Sequence, residues 1–303
     1  MKLEILKTIA QKGFMFFKKR ITLSIEYLKT SWKSAIVIIP TLLVLYYLLG
    51  SLLTENIDRD IHFEIKKQER GYTFVQTAAD LINREIDTHM FTPNLPFIFP
   101  AYILDNMPSF QNGVIESLSH TIHQISDILI SPDFQKADVF LSYPSNVWLF
   151  SKTKDFKLEP SSTAQYRKAR RNLLRFNKNA QKNPRTLIKV LQSVEEDLIK
   201  TEQVLTKQID LKISFKSDDV FYNALGHLYS DYLLLKSVAL DMPFDFLCVQ
   251  KPLEKALSID PLMIQNGDLD AIMRPNHLVE LAYFTLKSRQ ALNSVLKRID
   301  NAN

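Results

Sequence analysis

The chain has 303 residues, 46% of them apolar, with 38 Lys and Arg against 33 Asp and Glu and a net charge of +5. Its six glycines leave little room for phosphate-cradling loops or tight β-hairpins, and no GxGxxG, Walker or GxSxG pattern occurs. Cys248 is the single cysteine, which excludes an intrachain disulfide, a CxxC redox pair and a cysteine zinc cage. In its apolar setting, "FDFLCVQ", Cys248 reads as a buried small hydrophobe and not as a nucleophile.

The charge is concentrated at one end. Residues 1–33 carry eight Lys and Arg against Glu4 and Glu26, a net +6, so residues 34–303 sum to −1. The basic balance describes an arm, and a global nucleic-acid footprint is not implied. Within the arm Ile5, Ile9, Phe14, Phe16 and Phe17 alternate with lysines, which suits either an amphipathic helix on anionic lipid or a solvated basic flank.

Next comes "SAIVIIPTLLVLYYLLGSLLT", Ser34 to Thr54, 21 residues without a charge. At 1.5 Å per residue this is about 30 Å of helix, the thickness of a bilayer's hydrocarbon core. It starts too late and runs too long for a cleaved signal, so a retained transmembrane anchor is expected. Eight Lys and Arg precede it, and five occur in the 33 residues after it. That bias puts the arm in the cytoplasm and the body across a bacterial inner membrane. Residues 55–71 are dense in charge and read as a linker or helical stalk, with residues 72–303 as a helical extracytoplasmic domain.

Within that domain Thr73 and Gln76 have capping-box spacing, and Val75, Ala78, Ala79, Ile82 and Ile86 supply an apolar stripe. Four prolines between Met90 and Pro108 interrupt regular structure. The next helix, about residues 109–130, carries Ile115, Leu118, Ile122, Ile125 and Leu129 on one face. Its opposite face carries Glu116, His120, His123 and Asp127, a weak zinc-ligand candidate for which a solvated polar face is the preferred reading. "VFLSYPSNVWLF" suggests short strands or an irregular insertion within 131–160. Helix resumes with a basic face of Arg167, Lys168, Arg170, Arg171, Arg175 and Lys178, open to anionic headgroups or an envelope polymer, or to the acids of "VEEDLIKTE" that follow. Further helices begin near Ser217, where Gly226 implies close helix packing, and at Asn276. The expected fold is mainly α: one transmembrane helix followed by a helical bundle with a short irregular or β-containing insertion.

The stretches "AADLINRE", "ILDNMPSFQNGV", "PSSTAQYRKA", "DDVFYNALG", "MIQNG" and "NHLVELAYFTLKSR", with Trp148, follow one another in an order that resembles the bacterial domain-of-unknown-function 2333 family. The resemblance implies an N-terminal anchor and a body outside the cytoplasm, and it carries no assigned activity. Its landmarks Asp105, Asn106, Asp218, Asp219, Tyr222, Asn266, Asn276 and His277 are polar residues at expected helix ends. They either build corners or converge in a site. Two functions follow. One is a membrane-anchored envelope protein that binds or scaffolds other envelope proteins or anionic polymers, with no cofactor and no nucleic acid. The other is a membrane-tethered hydrolase using the Asp/His cluster, with or without a metal.

Overall fold

The computed structural model describes residues 20–22, 24, 32–149, 158–211, 216–261, 264 and 276–302. The chain divides into two compact units, Met1–Leu53 and Thr54–Asn303. Helix α1 (Trp32–Thr54) carries Pro40 within it. Its segment Ala35–Thr54 is long and apolar enough to cross a membrane, and side chains such as Ile36, Leu42, Leu49 and Leu53 are exposed. The apolar stripe expected from Ile5 to Phe17 lies outside the described residues.

The second unit contains α2 (Thr73–Asn83), α3 (Asn106–Ser126), α4 (Pro132–Leu141), α5 (Ser162–Asn177), α6 (Pro184–Ile209), α7 (Ser217–Asp241), α8 (Leu247–Leu257) and α9 (His277–Ala302). A π-helical turn, Arg84–Thr88, extends α2, and a 3₁₀ turn, Pro100–Ile103, precedes α3. No strand occurs among the described residues, and the mainly α expectation is met. The expected stripes face the core: Val75, Ala78, Ala79, Ile82 and Ile86 of α2 are buried, as are Ile115, Leu118, Ile122 and Ile125 of α3. Helix α7 is buried on nearly every side and forms the axis of the bundle.

Local chemistry sets the ends of these helices. Helix α2 starts at Thr73 as its spacing predicts, but Gln76 does not cap it. The Thr73 N–H and hydroxyl both donate to the Asp241 carboxylate at 2.8 Å, so the last turn of α7 closes the first turn of α2. Asn276 Oδ1 accepts from the Val279 N–H at 3.0 Å and caps α9.

Two stretches differ from expectation. Residues 132–141 form helix α4, because Phe134, Ala137 and Leu141 are buried at helical and not alternating spacing. Among the described residues that follow, 142–149 are irregular and Leu158 makes a lone bridge. Residues 55–71 are neither a free linker nor a stalk. They form a strap laid on the body, with Ile57, Ile61, Phe63 and Ile65 packed against the core.

The strap is held by its carbonyls. Asp58 O accepts from Arg84 Nη2 at 3.1 Å, Asp60 O from the Tyr229 hydroxyl at 3.0 Å, and Ile61 O from Lys236 Nζ at 2.8 Å. Gly71, with φ of 77°, turns the strap into α2 in a conformation that side chains disfavour.

Helices α3 and α7 run parallel, since Ser109 faces Asp219 and Ser117 faces Asp231. Their backbones touch. A Cβ on Gly226 would collide with Phe110 O, and one on Gly113 with Asn223 O. Close packing at Gly226 was legible in the sequence, and its partner is Gly113.

Gly226→Ala should therefore destabilise by about 1–3 kcal/mol through overpacking, even though Ala is the better helix former by about 1 kcal/mol. A lowered urea midpoint with unchanged m-value would show it. Fragment 55–303 should melt cooperatively, and fragment 72–303 at a clearly lower temperature, because losing the strap strands Arg84 and Lys236. Circular dichroism melts compare the two, and equal melting temperatures would contradict the strap's role.

Candidate functional site

The structure gathers most of the polar landmarks at one end of the body. Asp105 is the N-cap residue of α3, and its carboxylate accepts from the Asn106 N–H at 2.9 Å. Asp219 in the first turn of α7 accepts from the Ser109 hydroxyl at 3.1 Å, which ties the starts of α3 and α7 together. Asp218 accepts from the Asp219 N–H. Both carboxylates sit where the α7 dipole favours negative charge. Tyr222, half-buried, lies among Arg59, Asp260, Glu55 and Asp218. Burial pushes its phenol up, Arg59 opposes this, and the carboxylates reinforce it.

The same end receives the start of the strap. The Asn56 N–H meets Met107 Sδ at 3.4 Å. Arg59 Nη1 donates to the carbonyls of Leu257 and Ile259 at the C-terminus of α8, and Nη2 pairs with Asp260. Cations at a helix C-terminus satisfy its orphan carbonyls and its dipole. Asn276 and His277 open α9, which runs antiparallel to α6 through Arg289–Glu202 and Asn293–Glu195. Asn266 lies outside the described residues.

The zinc candidate does not assemble. Glu116 bonds Asn223 and His227, His120 faces Glu196 and Lys200, and His123 pairs with Asp138. Among the described residues no group of three or more His, Cys, Asp and Glu could hold a metal ion. The polar face is not simply solvated either, because neighbouring helices partner its side chains.

One of those partners leads to a buried network that sequence reasoning missed. His227 Nε2 contacts Glu116 Oε2 at 3.3 Å, and its Nδ1 contacts Asp197 Oδ2 at 2.8 Å. Asp231, one turn further along α7, accepts from Ser117 Oγ at 3.1 Å. Burial would push the imidazole down, but Asp197 and Glu116 outweigh it and hold His227 up at about 10, a fixed imidazolium. Burial also opposes ionisation of Asp197, and the His227 charge overrides it and holds Asp197 low. Asp231 goes the other way. Full burial and the Asp197 charge push it well up, so it carries a proton. Asp231 Oδ2 has no hydrogen-bond partner, a position that a neutral carboxyl tolerates better than a carboxylate. The signal was legible: His227, Ser230 and Asp231 interrupt the largely apolar run Ala224–Leu235, and buried polar residues need partners.

A second buried group anchors the strap. The Arg84 guanidinium donates to Glu85 Oε1 at 2.7 and 2.9 Å and to the Tyr229 hydroxyl at 2.6 Å, and stacks on the Tyr229 ring. Burial opposes both charges, yet His89 and Arg84 hold Glu85 low, and Glu85, with Tyr229 and Asp58, holds Arg84 up. Gln111 completes the group, accepting from the Thr92 N–H and hydroxyl and donating to Glu85 and Met90.

The basic face of α5 pairs elsewhere than with α6. Arg167 bonds Asp87 at 2.6 Å and Arg175 bonds Asp133 at 3.3 Å. Lys168 lies over the Phe140 ring, while Arg171 and Lys178 are exposed. The α6 acids are taken by other partners: Glu195 by Asn293, Asp197 by His227 and Glu202 by Arg289. Cys248 is exposed in the first turn of α8 and is not a core residue.

Comparison with family models, with curated proteins and with solved structures finds no match to this chain.

The network predicts opposite effects for two similar substitutions. Asp197→Asn strands the His227 imidazolium and should cost about 3–5 kcal/mol at pH 7. Asp231→Asn keeps an acceptor for Ser117 and removes the ionisable group. The folded state raises the Asp231 pKa, so its stabilisation is present at low pH and lost as pH rises. The asparagine should therefore be near neutral at acid pH and stabilising at pH 7. By the same sign rule, His227 stabilises fully below its unfolded value of 6.5 and loses that contribution as pH rises through about 10. Urea titrations of both variants across pH test the assignment.

Proposed function

We propose that the chain is a single-pass membrane protein of a bacterial envelope. Its basic arm lies in the cytoplasm, and its helical body lies across the inner membrane, where it binds or scaffolds other envelope components. The observation that carries this reading is the uncharged helix Ala35–Thr54, long and apolar enough to cross a membrane. The Lys and Arg bias before the helix supports the orientation. Membership in the domain-of-unknown-function 2333 family belongs to the same proposal and rests on the sequence landmarks alone. The landmark residues Asp105, Asp219 and Asn276 act as caps or ties between helices, which favours a binding body over the hydrolase alternative. Exposed Arg171 and Lys178 leave α5 open to an anionic partner.

Alkaline phosphatase fused after Asn303 should be active in cells, and the mature protein should keep the mass of the full chain and resist carbonate extraction from membranes. Activity only of a cytoplasm-dependent reporter would overturn the orientation. A product shortened by the length of α1 would overturn the anchor.

A further inference from the structure

A cavity of about 390 Å³ lies between α3, α5 and the segment that follows α4. Asn112 and Ser119 of α3 line it, together with Ser142, Ser145 and Asn146. Among the described residues none of these five side chains has a hydrogen-bond partner. Asn112 Oδ1 is the most demanding of them, because it is buried and receives no donor. A buried acceptor left unpaired costs about 1–3 kcal/mol. The one charge on the wall is Glu116, and its Oε2 is already held by Asn223 and His227.

A second cavity, of about 470 Å³, meets the first at Asn146, which lines both. Its wall is of another kind, with Trp148, Tyr102, Pro93, Pro96 and Pro108 offering ring surface. Each cavity has the size of a small-ligand site, roughly 300–1,000 Å³. The walls are held in place. Ser162 Oγ donates to Pro144 O at 2.6 Å and accepts from the Val147 N–H at 2.9 Å, and the Tyr166 hydroxyl donates to Tyr143 O at 2.8 Å. On the other side Thr92 is bonded to Gln111, and Asn94 Nδ2 donates to Val147 O.

We infer that the two cavities bind a neutral oligosaccharide of N-acetylated amino sugars, with successive rings on either side of Asn146. Charge selects a neutral ligand. An anion would find no Lys or Arg on either wall, and a cation would face a carboxylate already paired with His227. A wholly apolar ligand would leave Asn112 Oδ1 and the serine hydroxyls unpaired. A sugar ring joins both kinds of surface. Its C–H face covers the rings of Trp148 and Tyr102, and its hydroxyls reach the serines and asparagines. The acetamido group selects the amino sugar. Its N–H meets the need of Asn112 Oδ1, and its methyl suits the buried Ile115 and Leu141 of the same wall. The site lies wholly within the body and holds whether or not α1 spans a membrane.

The test uses the full chain in lipid nanodiscs. It has two tryptophans, and Trp32→Phe leaves Trp148 as the only reporter. Triacetylchitotriose should shift the Trp148 emission saturably, and saturation-transfer NMR should show its acetyl methyls against the protein. Cellotriose, with the same linkage and no acetamido group, should bind at least about tenfold more weakly, because it leaves Asn112 Oδ1 unpaired. Asn112→Ala should weaken chitotriose to a similar extent while the melting temperature stays near that of the parent, since the acceptor it removes bonds nothing in the protein. Ser145→Ala, on the half-buried rim, should weaken binding in the same direction without touching the core. No response to chitotriose in either readout would overturn the inference, and so would equal affinity for cellotriose. Binding that survives both Asn112→Ala and Ser145→Ala would put the sugar elsewhere and overturn it as well.

Discussion

The contact between α3 and α7 at Gly113 and Gly226 is the constraint on which the rest of the body depends. With no Cβ on either side, Phe110 O and Asn223 O occupy space that any other residue would fill. The parallel alignment brings both N-termini to one end, where Ser109 and Asp219 join them. It also sets the register in which Glu116 meets His227 and Ser117 meets Asp231. Helix α6 then lies antiparallel to both and supplies Asp197, so that two carboxylates, one proton and one imidazolium are satisfied together. Buried charges of this kind add little net stability, and a mismatched alternative packing would leave them unpaired. In this body they act as a register device.

The strap reads that register from the outside of the body. Its carbonyls accept from Arg84, Tyr229 and Lys236, groups on the π turn and on α7, while Arg59 closes the C-terminus of α8. The π turn gives Arg84 its reach into the core beside Glu85, in keeping with the tendency of such irregular turns to occur where a helix does something specific. Desolvating the guanidinium is offset by one carboxylate, one hydroxyl and one carbonyl. A body carried on a flexible stalk would need none of this.

Elements with one apolar face were legible from the residues. The starts of α2, α7 and α9 and the stripes of α2 and α3 follow from spacing. What escaped were features that depend on distant partners. Thr73 looks like a self-capping start, but Asp241 caps it from the far end of α7. The α5 arginines face nearby acids in sequence, yet Asp87 and Asp133 reach them first. Val139, Phe140 and Leu141 favour strands locally, and burial of Phe134, Ala137 and Leu141 on one face makes them helix. Helix α8 is short and carries Pro252, so its pattern is weak. The charges of residues 55–71 suggest solvent, whereas Ile57, Ile61, Phe63 and Ile65 among them bind the body. The described landmarks Asp105, Asn106, Asp218, Asp219, Asn276 and His277 lie at helix starts, and the buried Asp197–His227–Asp231 network was not foreseen because Asp197 of α6 meets His227 and Asp231 of α7 only in the fold.

The central claim is that residues 55–71 are bound to the body as a strap and do not form a free stalk. Limited trypsin digestion of the full chain in vesicles, with cleavage sites read by mass spectrometry, tests it most directly. Arg59 is a trypsin site in a charge-rich segment, yet its guanidinium is bonded to the end of α8. Cleavage after Arg59 should appear only when the whole body unfolds, at the same denaturant concentration as cleavage within α7. Early cleavage after Arg59 in an otherwise intact body would show a mobile stalk and contradict the account.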